Sequence, residues 1–232
     1  MRCSPIVCIC FMFTGWPVTA AEPAKTGTIQ GNVRFTGTVP KPQMIRTTDG
    51  STIEHSDLVV DQKTKGLRYV IAVLEDAPEQ PKVKDAKPVV VDQVSWVFQP
   101  RVVAVQCGQA VRFDNSDTVN HSVMAISTVK ENQLNTVAAP GSPVIHTFEP
   151  QKTPVLIGCS LHSWMRAWVY ISRHPWFAVS GAEGKFKIDQ IPPGKYTLLL
   201  HHPDTNLRER KAVEVRSDHT LEVTVEWSKV GK

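Results

Sequence analysis

Short runs of alternating apolar and polar residues constrain the fold of this chain more than any other feature. Gly27–Phe35 alternates in this way, and Leu221–Val225 near the other end of the chain does the same. A period of two is typical of strands with one buried face. The 17 Pro and 13 Gly residues supply turns between such runs, and no segment shows the periodicity of a long helix. The sequence therefore predicts an all-β fold, built as two β-sandwiches.

Three segments between the strong strand patterns carry turn and loop chemistry. Thr38 to Asp57 and Lys130 to Pro143 are polar and are predicted as loops, and Ala77 to Lys87 is predicted as a linker. Leu67–Leu74, by contrast, is continuously apolar enough to be predicted as one strand.

The first 20 residues have the three parts of a secretory signal peptide. Arg2 gives a positive start, Ile6–Phe13 is a short apolar run, and Val18–Ala20 offers small residues before a cleavage point. The apolar run is much shorter than the roughly 20 residues that a spanning helix needs, although an uncleaved anchor is the alternative. We therefore expect a periplasmic or secreted protein, with residues 1–20 removed and no integral membrane span in the mature form.

Charge and motif content argue against several classes of function. The formal net charge is +4, and the Lys and Arg residues form no cluster with interleaved aromatic residues. The sequence therefore does not indicate a surface that binds nucleic acid. The sequence has no Gly-rich phosphate loop, nucleophile elbow or paired-carboxylate motif. We expect a protein that is not an enzyme and that does not bind nucleic acid.

One stretch, Gly158–Met165, gathers residue types that bind a soft metal ion. Cys159, His162 and Met165 follow one another at intervals of three residues, and His121 upstream offers a second imidazole. A thiolate, two imidazoles and a weak axial thioether are the ligands of a blue-copper electron-transfer site. A structural zinc site would use paired Cys and His clusters instead. The pattern therefore favours one type 1 copper ion held by His121, Cys159, His162 and Met165.

These segments resemble the cupredoxins, in particular the amicyanin-like members with a short ligand loop. The resemblance covers Phe113 to Val123 and Gly158 to Met165 and implies a Greek-key β-sandwich with the same four ligands. It also implies a role for Asn115, six residues before the first His, in tying the two ligand loops together. In related proteins the edge of the loop histidine, here His162, lies in an apolar patch and serves as the electron port, with Trp164 near its rim. The implied partners are redox proteins such as a c-type cytochrome or a dehydrogenase.

The neighbours of Cys159 bear on the alternative copper chemistries. Multicopper enzymes resemble this domain but place His on both sides of the Cys, whereas Gly158 and Ser160 stand there in this chain. A binuclear copper centre needs a second Cys in the same loop, which the stretch lacks. The sequence therefore predicts a mononuclear site.

Two cysteines, Cys107 and Cys159, lie outside the predicted signal peptide. A disulfide is the common use of such a pair in an exported protein. Eight strand residues at roughly 3.3 Å each would place Cys107 about 26 Å from the ligand end of its strand, whereas a disulfide needs Cα atoms within roughly 7 Å. We expect Cys107 to be a free structural thiol.

The remaining histidines carry weaker signals. His201 and His202 are predicted to form a pair on a strand surface, with a second metal site there as a weaker hypothesis. The others are expected to be solvated or ordinary core residues: His55, His146, His174 and His219.

The C-terminal part resembles carboxypeptidase-regulatory-like, or transthyretin-like, β-sandwiches. The resemblance is carried by Ala178–Phe186 and by the Pro-Pro-Gly turn leading into Tyr196–Leu198. Gly31–Val33 matches the Gly-x-Val strand with which those sandwiches begin. Taken whole, the chain resembles bacterial plastocyanin-like proteins that are described as methylamine-utilisation proteins.

This second resemblance leads to a prediction of domain organisation. Insertion at a loop is sterically cheap because domain termini often lie close together. We predict a cupredoxin domain at residues 88–172, inserted into a discontinuous regulatory-like sandwich formed by residues 27–85 and 173–230. The alternative is a separate C-terminal sandwich, with residues 27–75 adding strands to the cupredoxin.

Three functions compete at this point. The leading hypothesis is an exported type 1 copper protein that carries single electrons between redox partners. The second is a copper-binding or storage protein without rapid electron transfer, and the third is a cell-envelope module for adhesion or polysaccharide association, in which the regulatory-like sandwich carries the function.

Overall fold

The regular secondary structure is almost entirely β-strand in a computed structural model that describes residues 25–230. The predicted signal peptide, residues 1–20, lies outside the described residues. The first nine strands are β1 (Gly27–Phe35), β2 (Gln43–Arg46), β3 (Thr52–His55), β4 (Ile71–Leu74), β5 (Val89–Val94), β6 (Val97–Gln99), β7 (Val102–Gln106), β8 (Ala110–Asn115) and β9 (His121–Ile126). The other nine are β10 (Leu134–Ala138), β11 (Val144–Thr147), β12 (Val155–Gly158), β13 (Arg166–Ser172), β14 (Phe177–Val179), β15 (Lys185–Ile191), β16 (Gly194–His202), β17 (Leu207–Val215) and β18 (Thr220–Trp227).

Within the part of the chain that the structure describes, helical structure is confined to one short segment. A single 3-10 turn at Lys130–Asn132 precedes β10. Among residues 25–230, no helix is long and apolar enough to cross a membrane. The predicted all-β fold class is confirmed.

Strands from the two ends of the described chain form one β-sandwich. Its sheets have the strand orders β15-β1-β18 and β14-β4-β16-β17. In β1 the alternation of burial turns Ile29, Val33 and Phe35 inward, as the period of two requires. These side chains join one apolar core with residues of the C-terminal strands, including Leu198 and Val225.

The strands between them form a second β-sandwich, in which the predicted metal ligands lie. Its sheets have the orders β10-β9-β12-β13-β7 and β11-β8-β5-β6. Phe113 and Phe148 pack edge to face in its core, with ring centroids 6.4 Å apart. Cys159 and Met165 belong to the same buried cluster, so the predicted site lies at the margin of a packed core.

The two sandwiches pack against each other through a third apolar cluster. Ile71, Val73 and Leu199 of the first sandwich meet Val102 of the second. A buried polar contact lies beside this cluster, where Trp168 Nε1 donates to Asp204 Oδ1 at 2.8 Å. The relative position of the two sandwiches is therefore fixed by side chains from both.

The strands on either side of the central sandwich pair with one another. β1 pairs with β15 and β18, and β4 pairs with β14 and β16, rather than with strands of the central sandwich. Residues 77–87 contain no strand. Pairing does not show which part of the chain folds independently, so the boundaries at 27–85, 88–172 and 173–230 stay a prediction.

Two segments predicted as loops contain strands. Within Thr38 to Asp57, β2 and β3 form a hairpin in which Gln43 lies opposite His55. Within Lys130 to Pro143, β10 pairs with β9. Both predictions were wrong because β2, β3 and β10 are largely exposed on both faces, which leaves no apolar alternation to detect.

The predicted strand at Leu67–Leu74 is shorter in the structure, where β4 begins at Ile71. Tyr69 has a φ of +71°, in the left-handed region that interrupts a strand. Leu67 and Val70 are apolar because they are buried, although only Ile71–Leu74 forms a strand.

The surface placement of the His201–His202 pair was wrong, since both side chains are buried. One face of the β16 sheet packs into the first core and the other face packs against the central sandwich. A strand covered on both faces buries neighbouring residues alike. Burial lowers the pKa of each imidazole to about 4.

These two histidines predict a loss of stability in weak acid. Their folded-state pKa values of about 4 lie below the ordinary value of 6.5, so the unfolded state binds more protons between these limits. Stability should fall as the pH drops from 6.5 towards 4, by about 2 kcal/mol for each imidazole at pH 5. Urea unfolding at pH 7 and pH 5 measures this difference.

Two substitutions identify its source. His202→Gln should reduce the difference between the two pH values, whereas His219→Gln, at an exposed position, should leave it unchanged. Equal pH dependence in the His202 variant and the unmodified protein would contradict the assignment.

Candidate metal centre

The loop between β12 and β13 carries three of the predicted ligands in a closed turn. Cys159 N donates to the carbonyl of Met165 at 3.2 Å, and Met165 N donates to the carbonyl of His162 at 3.0 Å. These bonds fix the backbone around Cys159 and His162. The short spacing of the motif therefore produces a compact loop, not an extended one.

Strand pairing brings the fourth predicted residue to this loop. β9 lies antiparallel to β12, with Met124 opposite Gly158. His121, the first residue of β9, therefore lies beside the loop that follows Gly158. Its backbone is also paired with Ala138 of β10, which holds the start of β9 in place.

Three potential donor atoms converge at this point. His121 Nδ1 and His162 Nδ1 lie 3.0 Å apart, and Cys159 Sγ lies 3.7 Å from His162 Nδ1. One donor atom of each residue lies within 4.8 Å of those of the other two, and all three side chains are buried. The structure thus brings together His121, Cys159 and His162 as the sequence analysis expected.

Met165 is buried in the same core cluster as Cys159. Its backbone closes the ligand loop, and its side chain is 1% exposed. Its use as a weak axial ligand stays a prediction.

Asn115 lies near the site but makes different contacts from those expected. Its Nδ2 donates to the carbonyls of Val119 at 2.9 Å and Ala138 at 2.8 Å, and its Oδ1 accepts from Asp117 N at 3.1 Å. These bonds organise the approach to His121 and the end of β10. None of them reaches the Cys159 loop.

Ser122 makes the connection that was expected of Asn115. Its backbone N–H donates to Cys159 Sγ at 3.3 Å, and its hydroxyl lies 2.8 Å from the hydroxyl of Ser160 and accepts from Ser160 N at 2.7 Å. Sequence reasoning missed this residue, although its position directly after the first histidine was a usable signal.

Asp117 orients the first imidazole. Its Oδ2 lies 2.9 Å from His121 Nε2. Because Nε2 is engaged by this carboxylate, Nδ1 is the ring nitrogen that faces the donor cluster. Sequence reasoning missed Asp117, although its spacing of four residues from His121 was a usable signal.

Local hydrogen bonding prepares the Cys159 thiol to bind a metal. Burial alone raises its pKa, but hydrogen bonds from His121 and from the backbone N–H groups of Ser122 and Leu161 outweigh burial and lower the pKa to about 6. A substantial thiolate fraction is therefore present at neutral pH, and the thiolate is the form that binds metals. Burial also lowers the pKa of His121, but its bonds to Cys159 and Asp117 raise the pKa above the ordinary value.

Two tryptophans cover the imidazoles. The Trp96 ring meets His162 edge to face at a centroid distance of 5.0 Å, and the Trp164 ring lies 5.3 Å from His162. His162 is only 7% exposed. Little of the His162 ring therefore reaches the surface, and Trp96, which lies on a different part of the chain, was missed by sequence reasoning.

The donor set fits copper better than zinc. A structural zinc ion takes four N, S or O ligands, yet no fourth His, Cys, Asp or Glu of the described residues joins this group. One thiolate and two imidazoles are the soft, trigonal set that copper prefers.

The other cysteine and histidines lie outside the cluster. Cys107 is a buried free thiol, as expected, and burial raises its pKa. His174 is a satisfied core residue that bonds the carbonyl of Leu74 at 2.8 Å, and His55 is buried beside Asp57. His146 is half-buried and His219 exposed, so none of these joins the donor group.

Comparisons with known proteins show only distant relations. No protein-family model and no curated protein matches the chain. Among solved structures, an oxidized mutant of amicyanin is 19% identical with a TM-score of 0.33, and the match covers 44% of this chain and 98% of that one. A purple cupredoxin from Nitrosopumilus maritimus is 20% identical with a TM-score of 0.32, covering 36% and 99%.

A third similar structure is longer than this chain. The copper-containing nitrite reductase from Thermus scotoductus is 23% identical with a TM-score of 0.33, over 40% of this chain and 25% of that one. The chain thus spans about a quarter of that enzyme.

The contacts of Asn115 predict a structural cost of removing its amide. Asn115→Ala would leave the buried carbonyl of Ala138 and the carbonyl of Val119 without their donor, at a cost of about 2 kcal/mol or more. Urea unfolding of the metal-free protein measures this cost. Asn135→Ala, at an exposed position of β10, is the matched control and should change stability by less than about 0.5 kcal/mol.

Proposed function

We propose that the protein is an exported copper protein that holds one type 1 copper ion and carries single electrons between redox partners. The observation that carries this proposal is the convergence of two Nδ1 atoms and one thiol sulfur in a buried site. His121, Cys159 and His162 are the proposed equatorial ligands, and Met165 is the proposed axial ligand. Bound copper would supply reversible one-electron oxidation and reduction.

The chain's own groups prepare the site for this role. The Ser122 N–H group and the neighbouring imidazole stabilise the Cys159 thiolate, and Asp117 holds His121 in one tautomer. Backbone hydrogen bonds between Cys159, His162 and Met165 fix the loop that carries His162. A site whose donors are already in place changes little on electron transfer, which favours rapid exchange.

The same geometry favours an electron carrier over an enzyme. Cys159, His121 and His162 are all buried, and two tryptophan rings lie over the His162 imidazole. A substrate would need an open position at the metal, and these side chains leave little room for one.

The proposed partner is another redox protein, such as a c-type cytochrome or a dehydrogenase. Leu161, in the ligand loop, is 56% exposed, and the half-buried Trp164 lies between the surface and His162. A small apolar contact of this kind suits the weak and transient encounters of electron transfer. We place the protein in the periplasm or outside the cell on the basis of residues 1–20.

We further propose that residues 88–172 form the cupredoxin domain, inserted into a regulatory-like sandwich of residues 27–85 and 173–230. The separate cores of the two sandwiches support this division. In this arrangement the outer sandwich positions the copper domain and does not bind the metal.

Copper storage is the second candidate, and one observation favours it. The low exposure of His162 lengthens the path that an electron must cover from the surface, which suits a protein that holds copper without rapid exchange. Electron transfer with an acceptor distinguishes the two functions.

The central test is a pair of cysteine substitutions in the copper-loaded protein. The unmodified protein should show an intense sulfur-to-copper charge-transfer band in the visible spectrum. Cys159→Ser should abolish this band, and Cys107→Ser, which removes the other buried thiol, should preserve it.

Mixing with a c-type cytochrome then separates the candidate functions. Reduction and reoxidation of the band within milliseconds to seconds would support electron transfer. A protein that binds only Cu(I) and never shows the band would contradict the proposal and favour storage.

A further inference from the structure

The turn between β5 and β6 places a tryptophan where its backbone is unfavourable. Ser95 and Trp96 have φ values of +55° and +64°, and both lie in the left-handed region used by two-residue hairpin turns. Asn and Gly adopt this conformation readily, whereas bulky side chains do so at a cost. Such a position persists when surrounding contacts offset the cost, and it often marks a functional site.

The contacts of the Trp96 side chain lie at the donor cluster. Its ring lies edge-on to both imidazoles, with centroid distances of 5.6 Å to His121 and 5.0 Å to His162. Its Nε1 donates to Asp49 Oδ2 at 3.2 Å, and its carbonyl accepts from Trp164 Nε1 at 3.1 Å. Trp96 is 6% exposed, so the indole is buried and packs against the imidazoles.

One carboxylate fixes this turn to a proposed ligand. Asp117 Oδ1 accepts from Ser95 N at 2.7 Å, and Oδ2 accepts from Trp96 N at 2.9 Å. The same Oδ2 lies 2.9 Å from His121 Nε2. The turn therefore cannot swing away without disturbing the bond that orients His121.

The indole is also held by a residue of the β2–β3 hairpin, Asp49. Asp49 lies in the turn of the β2–β3 hairpin, where its Oδ1 accepts from Ser51 N at 2.9 Å. This hairpin pairs with no strand of either sandwich. Its turn meets the central sandwich at Trp96, so the hairpin holds the outer edge of the indole.

We propose that Trp96 is a shielding residue of the metal centre, which keeps water and small anions away from the two imidazoles. Asp117 and Asp49 are the residues that position it, from the inner and outer side respectively. The role at the metal rests on the proposed copper function, whereas the shielding of the imidazoles does not. Electron transfer then proceeds at the neighbouring face formed by Leu161 and Trp164.

The first test uses the metal-free protein. Trp96→Asn removes the indole but suits the left-handed backbone and keeps the N–H group that Asp117 binds. Diethyl pyrocarbonate modifies accessible imidazoles, and mass spectrometry locates the product. Because shielded groups react only through local opening, His162 should be modified about tenfold faster or more in this variant.

Two further variants make the comparison specific. Ser95→Asn changes the neighbouring turn residue and leaves the indole in place, so its His162 should react at the unmodified rate. Trp96→Phe keeps a ring over the imidazoles without the N–H group for Asp49, and it should retain most of the protection. Equal rates at His162 in all four proteins would overturn the proposal.

The second test uses the copper-loaded protein and azide as a probe. Visible and EPR spectra of the unmodified protein and of Ser95→Asn should not change on adding azide, whereas those of Trp96→Asn should. Azide binding to the unmodified protein would overturn the shielding role. If copper does not bind at all, the copper function fails, and the reactivity of His162 still decides whether Trp96 shields it.

Discussion

The pairing of β9 with β12 is the constraint on which the site depends. The motif Cys-x-x-His-x-x-Met brings its residues together by spacing, but a second imidazole must come from elsewhere in the chain. Because β9 and β12 are neighbours in one sheet, His121 begins its strand beside the loop that carries Cys159. The backbone N–H group of Ser122 then reaches the sulfur. A change of register by one residue would turn His121 to the opposite face of the sheet.

Around this pairing, the polar interior is organised by few groups. Asp117 connects the β5–β6 turn with the first imidazole through hydrogen bonds, and the Ser122–Ser160 contact connects the two ligand segments. Such fully bonded groups hold donors in position before the metal arrives. The structure therefore explains both the lowered pKa of Cys159 and the low exposure of His162 from the same small set of contacts.

The sequence was most informative where local pattern and chemistry coincide. Strict alternation identified β1 and β18. The spacing around Cys159 identified His162, which the structure brings together with Cys159 and His121, and Met165, which is buried in the same core cluster as Cys159.

The sequence was least informative where the position of a residue depends on contacts with distant parts of the chain. Trp96 is remote in sequence from the ligand loop, and the residues of its own turn do not indicate that its ring covers His162. The β2–β3 hairpin was missed because both of its faces are exposed, and the burial of His201 follows from the packing of one sandwich on the other, which no single strand pattern records. Asn115 shows a different limit, since its expected role came from a resemblance, whereas its actual hydrogen bonds go to Val119 and Ala138 and not to the Cys159 loop.

X-ray absorption at the copper edge of the loaded protein tests the central claim most directly. The account predicts one short copper–sulfur contact from Cys159 together with two imidazole nitrogens, as a trigonal type 1 site requires. Nitrogen and oxygen neighbours alone, or two equivalent short sulfur contacts, would contradict it.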